Sequence, residues 1–451
     1  MILPRRTPAA MRLVLAVAVA LATATAATVV RAAQDGADVP PASAGAADPA
    51  GTTATAVVPP GAPLIINSVT VERLRRTPEP LVRALAGVEA GRASSARGLR
   101  RAARRLGELP TAARTSLAVR PAGPGRAALR LVADEKPIVP AGTIGWSSVA
   151  LDAVLSRTVR FDVAAPFAQA DLWQPSFLWP RARRRLGLHV ALPLPGSRRG
   201  VLHVDAFGER QTYARPLAGL PMFEEQRRRV GLRYADWIHD QVRLEGGLAA
   251  DRLAGRDYLA FQGIATVTLF ADHVAAHLRT ERWLPRASDD VAHATVHASL
   301  DWRSTTDEDA TRWIGHVGLI RASDQAPLAL WAAAASGGDR QILLRGHVLH
   351  HQHVLASEVF GRRLAYGTVE HITPVWRSRY AAVGVAGFVD VARAFDRLDG
   401  AAPTRLHIDV GAGLRLSRPT DASQLRLDWG VGLRDGRMRV SAGYLTAWGR
   451  P

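Results

Sequence analysis

Arg345 lies near the end of the run Gly337-Gly338-Asp339-Arg340-Gln341-Ile342-Leu343-Leu344-Arg345-Gly346-His347, and two acids, Glu370 and Asp390, follow it downstream. A guanidinium presents five donors in a rigid fork, so one arginine can hold two carboxylates at once. Arg345 meeting Glu370 and Asp390 would therefore make a structural lock, not a catalyst. His347, His350, His351 and His353 crowd the same stretch. Imidazole is a common metal ligand, but no paired acid or cysteine stands beside these four, and no metal is expected there. Arg181, Arg183, Arg184 and Arg185 read as a patch for lipid headgroups or a wet interior. No Gly-x-Ser-x-Gly elbow, phosphate loop or His-Glu-x-x-His occurs, so neither enzymatic activity nor a cofactor is expected.

The elements that must position these groups show themselves by alternation. Leu406, Ile408, Val410, Ala412, Leu414 and Leu416 alternate with His407, Asp409, Gly411, Gly413 and Arg415. Leu425, Leu427, Trp429, Val431 and Leu433 alternate with Gln424, Arg426, Asp428, Gly430, Gly432 and Arg434. The same pattern runs from Ala292 to Arg303 and from Leu186 to Leu192. Period-two patterning of this length, sustained over several hundred residues, predicts strands with one greasy and one wet face, as in a transmembrane barrel. A soluble sandwich seldom sustains it, and its strands are shorter. Val383, Val385, Val389 and Val391 then face lipid, which turns Asp390 inward. The runs give about sixteen antiparallel strands between Thr143 and Trp448, the least secure being the first two and the Ala-rich run Leu328 to Ala335. Trp302, Trp313, Tyr380, Tyr444 and Trp448 near strand ends suit interfacial girdles.

Ahead of the wall the pattern changes. Residues 1–33 read as a signal peptide: Arg5, Arg6 and Arg12 precede the apolar stretch Leu13 to Val30, and Val30-Arg31-Ala32 offers a cleavage site. Residues 34–63 are an Ala/Pro-rich linker, expected to be disordered. Residues 64–137 read β-α-α-β-β. Ile65, Ile66, Val69 and Val71 mark the first strand, and Pro78 opens a helix bearing Leu81, Val82 and Leu85 that Gly87 ends. Ser94 or Ser95 caps a second helix with Leu99, Ala102, Ala103 and Leu106 at helical spacing. Strands Ser116 to Arg120 and Ala127 to Val132 flank a turn containing Pro121, Gly123, Pro124 and Gly125. Residues 138–451 are left for the barrel.

Bulk numbers agree with this division. The chain has 451 residues, 47% hydrophobic and 22% charged, with no cysteine and a formal net charge of +18. No helix-length apolar run follows the first thirty residues, which excludes a polytopic helical membrane protein but not a barrel. Lys136 is the only lysine. The arginines are spread over many segments instead of forming one patch, so nucleic acid is not an expected partner.

Two features carry a resemblance. The β-α-α-β-β order, with Gly91 and Ser94 before the second helix and Val132-Ala133-Asp134-Glu135 at its close, resembles a polypeptide-transport-associated (POTRA) domain. The Gly337-Gly338 pair and Leu344-Arg345-Gly346-His347 resemble the Val-Arg-Gly-(Phe/Tyr) loop tip of the BamA/TamA-type outer-membrane assembly superfamily, the bacterial surface antigen family. Tyr366 to Glu370 and Phe388-Val389-Asp390-Val391-Ala392 match that family's following strands. His347 stands in place of an aromatic and Ala392 in place of a glycine.

The resemblance implies a loop folded into the lumen and tied by Arg345 to Glu370 and Asp390, after the eleventh strand with five to follow. It also implies a C-terminal assembly signal in Gly443, Tyr444 and Trp448. By the same resemblance the protein sits in the outer membrane of a Gram-negative bacterium with its POTRA domain in the periplasm. Its partners would be unfolded or nascent outer-membrane or secreted clients, together with outer-membrane lipid and lipopolysaccharide. The expected function is protein assembly, insertion or translocation. The alternatives are a two-partner secretion transporter for one specific protein, whose relatives carry two POTRA domains, and a passive, anion-selective outer-membrane channel.

Overall fold

The wall of this molecule reverses the arrangement of a soluble sheet, with apolar side chains outside and charges within. The computed structural model describes residues 63–140 and, with short interruptions, 146–445. The expected signal peptide and the linker as far as residue 62 lie outside the described residues.

The small domain runs β1 (Leu64–Glu72), α1 (Glu79–Ala86), β2 (Ala93–Ser94), α2 (Ala96–Gly107), β3 (Ala112–Pro121) and β4 (Arg126–Glu135). Its sheet order is β2-β1-β4-β3, with β1 parallel to β4 and β3 antiparallel to it. Pro78 precedes α1, and Gly87 closes it in the left-handed conformation at φ 70°, where a side chain would be strained. The Ser95 hydroxyl accepts the Gly98 N–H at 3.1 Å and caps α2. Val82, Leu85, Leu99 and Leu106 from the helices close over Leu129 and Leu131 of the sheet. The two-residue strand β2 is too short to leave a period-two signal.

The wall begins with β5 (Thr158–Arg160), β6 (Val163–Ala164), β7 (Leu172–Leu178) and β8 (Arg183–Pro193). It continues through β9 (Val201–Tyr213), β10 (Phe223–Trp237), β11 (Val242–Leu253), β12 (Arg256–Leu269), β13 (Val274–Pro285), β14 (His293–Arg303) and β15 (Arg312–Ala322). A long loop follows, carrying the short strands β16 (Ala332–Ala333), β17 (His350–His351), β18 (Val354–Leu355) and β19 (Phe360–Gly361). The wall then resumes as β20 (Arg363–Arg377), β21 (Ala382–Phe395), β22 (His407–Ser417), β23 (Gln424–Gly432) and β24 (Met438–Leu445). Among the described residues eleven strand segments thus precede the loop and five follow; β5 and β6 pair with β7 in one continuous register. The sheet closes into a barrel, β15 pairing directly with β20 across the base of the loop.

Closure satisfies the backbone of every strand without water, the condition for crossing a bilayer with strands. Outward positions are apolar and open, as at Leu186 (66% exposed) and Val230 (59%), whereas the inward Asp390 and Arg415 are each 2% exposed. Among the described residues no helix is long and apolar enough to cross a membrane. The Ala-rich run Leu328 to Ala335 is not a wall strand. It forms a 3-10 turn, Leu328–Leu330, and then β16, both inside the long loop. It is apolar without alternation because the loop and the lumen cover it on both sides, burying Leu328, Ala333 and Ala335 against Tyr213 and Phe360.

The small domain rests on one rim, hereafter the near rim. Arg105 of α2 forks onto Asp236 at 2.7 and 2.6 Å, and Arg100 reaches Asp240 at 2.7 Å. Arg104 pairs with Asp272 in the next turn along and lies over the Trp237 ring at 5.0 Å. The long loop and the β23–β24 turn leave the wall from the opposite, far rim.

Candidate functional site

The site is the place where the loop between β15 and β20 re-enters the barrel. Two sets of contacts hold the loop across the far mouth. Glu225 on β10 accepts the backbone N–H of Ala329 at 2.9 Å, and Leu355 of β18 pairs with Tyr213 of β9, far from β15 and β20 in strand order. Leu344, fully buried, then packs against Leu364, Tyr366 and Ala394 and leads the chain to its tip.

At the tip Arg345, 3% exposed, is the hub of a buried ion network. Its Nε donates to Asp390 Oδ2 at 2.9 Å and its Nη2 to Asp390 Oδ1 at 2.8 Å. Nη1 donates to Glu370 Oε2 at 2.6 Å, and Nη2 also to the Thr368 hydroxyl at 3.0 Å. The backbone N–H of Arg345 adds a bond to Asp390 Oδ2 at 3.1 Å, and its guanidinium carbon lies 3.4 Å above the Phe388 ring. A second arginine extends the network: Arg415 donates to Glu370 Oε1 at 2.8 Å and to Asp428 Oδ1 at 2.6 Å. Arg426 stands 3.7 Å from Asp428. Three guanidiniums thus face Glu370, Asp390 and Asp428. Charges this deeply buried are tolerable only with such pairing.

The loop backbone itself lies against the wall. Gly346 donates its N–H to Asp409 Oδ2 at 2.6 Å, and a Cβ on Gly430 would come 2.8 Å from Gly346 N and 2.9 Å from the Arg345 carbonyl carbon. Only glycine at position 430 leaves room for the chain to seat there. His347 Nδ1 lies 2.8 Å from the other Asp409 oxygen.

No protein-family model matches the chain, and no curated protein does. Solved structures do. CdiB from Escherichia coli superposes with a TM-score of 0.57 at 13% identity, over 85% of this chain and 76% of that one. CdiB from Acinetobacter baumannii gives 0.51 at 13% identity, over 85% and 73%. The chain has the BamA/TamA-type fold. BamA from Haemophilus ducreyi lacking POTRA domains 1-3 aligns over 85% of both chains at 11% identity, with a TM-score of 0.49.

Within this BamA/TamA-type barrel, Arg345, Glu370 and Asp390 are brought together, and Gly346 and His347 are bound to Asp409. Gly337 to Leu343 and Trp448 lie outside the described residues. Gly443 and Tyr444 sit in β24, opposite Arg426 and Leu425 of β23. Arg183 bonds to Glu209 at 2.6 Å, so this member of the basic run is a lumen pair. His347 associates not with its sequence neighbours but with His407, at 3.1 Å. Thr368, Asp409, Arg415 and Asp428 are the partners that sequence reasoning did not name. Their signal was parity: Asp409, Arg415 and Asp428 occupy inward positions of strands that alternate cleanly.

Proposed function

We propose that this chain is an outer-membrane factor that inserts or translocates unfolded proteins. Its small domain would act as a periplasmic POTRA domain and its barrel as the path into or through the membrane. The observation that carries the reading is a closed barrel of reversed polarity with an inturned loop tied to its inner wall through Arg345, on a fold shared with CdiB. The client would meet β3, an edge strand of ten residues, and extend the small sheet by strand addition. Its own folding would supply the driving force, since no nucleotide enters the scheme. Export of one specific partner is the second reading, favoured by both CdiB likenesses, CdiB being a two-partner secretion transporter. A passive channel fits less well, because the loop crosses the far mouth from β15 and β20 to β9.

Vesicles carrying the full chain, presented with a urea-unfolded small outer-membrane barrel or an unfolded secreted polypeptide, test the proposal. Accelerated, membrane-embedded protection of the barrel supports insertion. Protection of the secreted polypeptide inside the vesicle supports export. Rates equal to those of protein-free vesicles for both clients overturn the proposal.

A further inference from the structure

His347 marks this chain off from an aromatic loop tip, and the groups around it have a metal-site geometry. We infer that His347, His407 and Asp435 form a binding site for a first-row divalent cation such as zinc, which clamps the loop tip to the far rim. The three residues come from three separate places: the loop, the first residue of β22, and the turn between β23 and β24.

His347 Nε2 lies 3.1 Å from His407 Nδ1 and 3.2 Å from Asp435 Oδ2, and all three donor atoms fall within 4.8 Å of one another. Ligands about 2.0–2.1 Å from a tetrahedral zinc stand about 3.3 Å apart, so two edges of the required polyhedron are already in place. A carboxylate behind a ligating imidazole fixes its tautomer and aims the other nitrogen at the metal. Asp409 stands in that place: one oxygen is 2.8 Å from His347 Nδ1, while the other holds the Gly346 N–H. In the tautomer with the Nδ1 proton on the Asp409 side, Nε2 carries the lone pair and faces His407 and Asp435.

Both histidines are buried, whereas Asp435 lies at an exposed turn, so an ion has a route in and a water has a position from which to complete the shell. The Arg437 guanidinium, half-exposed and 3.2 Å from Asp435 Oδ2, is the cation that the metal would displace. Gly432 allows the approach: a Cβ there would come 2.3 Å from Asp435 Oδ1 and 3.1 Å from His347 Cε1. The four-histidine cluster of the sequence is thus replaced by a site that shares with it only His347.

The test is zinc chloride titrated into the full chain in vesicles, read by competition with a chromophoric chelator and reversed with EDTA. The expected result is one saturable site per chain. Affinity should fall about tenfold or more in Asp435→Asn, in His407→Ala and in the supporting variant Asp409→Asn. Asp435→Asn sits in a surface turn and should keep the metal-free melting temperature, which separates lost binding from lost folding. Zinc should also slow proteolysis of the loop in the parent chain and not in Asp435→Asn. Absence of a saturable site in the parent chain, or equal affinity in the His407→Ala/Asp435→Asn double variant, overturns the inference and leaves the cluster held by a proton.

Discussion

Removing Arg345 is the most informative single perturbation, because one side chain ties the loop to β20, β21 and, through Asp428 at 3.6 Å, β23. Arg345→Ala deletes its bonds to Asp390, Glu370 and Thr368 and leaves Asp390 buried without a cation. Breaking a buried pair in this way costs about 3–5 kcal/mol, roughly two to four decades in the unfolding equilibrium. Asp390→Asn acts from the other side: Arg345, Arg415 and Arg426 then face only Glu370 and Asp428, at a cost of about 3 kcal/mol. The double variant removes one charge of each sign and restores balance among the remaining four groups. It should therefore cost little more than Arg345→Ala alone, a coupling of about 2–3 kcal/mol. Arg345→Lys should recover only part of the loss, since an ammonium cannot fork onto Asp390 and Glu370 together. The measurement is urea unfolding of the vesicle-inserted chain, followed by tryptophan fluorescence and heat-modifiable gel mobility. Single losses that add to within about 0.5 kcal/mol would refute the shared network.

Two further outcomes follow from the small domain. Arg105→Ala removes a fork to Asp236 whose two side chains are 8% and 14% exposed, and should loosen the domain from the near rim by about 2 kcal/mol; faster proteolysis of residues 136–140 in the full chain checks this, and an unchanged rate would show that Arg105 does not hold the domain. Burial alone would raise the pKa of Glu135, but bonds from Thr77 and the backbone of Arg76 hold the carboxyl below its usual 4.5. A depressed folded-state pKa adds stability that is complete above the unfolded value and is lost as pH falls through the folded one. Far-ultraviolet circular dichroism of the full chain at about 222 nm, where α1 and α2 supply helical signal, should show the small domain weakening below pH 4.5, and Glu135→Gln should flatten that dependence.

What the sequence made legible was local. Period-two runs such as Leu406 to Leu416 located the wall strands and their inward faces, and Pro78, Gly87 and Ser95 bounded the helices, because parity and capping act over a few residues. Partners were another matter. Asp390 meets Asp409 only because β21 and β22 pair in one register, and Gly413 opposite Asp428 sets the height of Arg415's partner in the same way. Parity says which side a residue faces but not its level around a closed sheet. The arginines of α2 gave no sign of their partners, since the acids they meet at Asp236 and Asp272 stand 131 and 168 residues away. The Ala-rich run failed for the opposite reason: burial on both sides erases the alternation that marks a wall strand.

The same chemistry ties the small domain to the near rim and the loop tip to the inner wall, at different depths, and depth decides how far salt can reach it. At the far mouth Arg345, Asp390, Arg415 and Asp428 are almost wholly excluded from solvent, so separating them exposes unpaired charge to a medium that does not screen it. At the near rim the Arg100 side chain is 61% exposed and Arg104 and Asp272 about 30%, so water and salt replace those partners as they part. Arg105–Asp236 and Arg243–Glu108, whose four side chains are 8–18% exposed, resist there. Rising ionic strength therefore weakens the exposed part of the small-domain contact and leaves the ties at the loop tip almost unchanged, while the small domain's apolar core runs on into Leu172, Ala191 and Val201 of the wall.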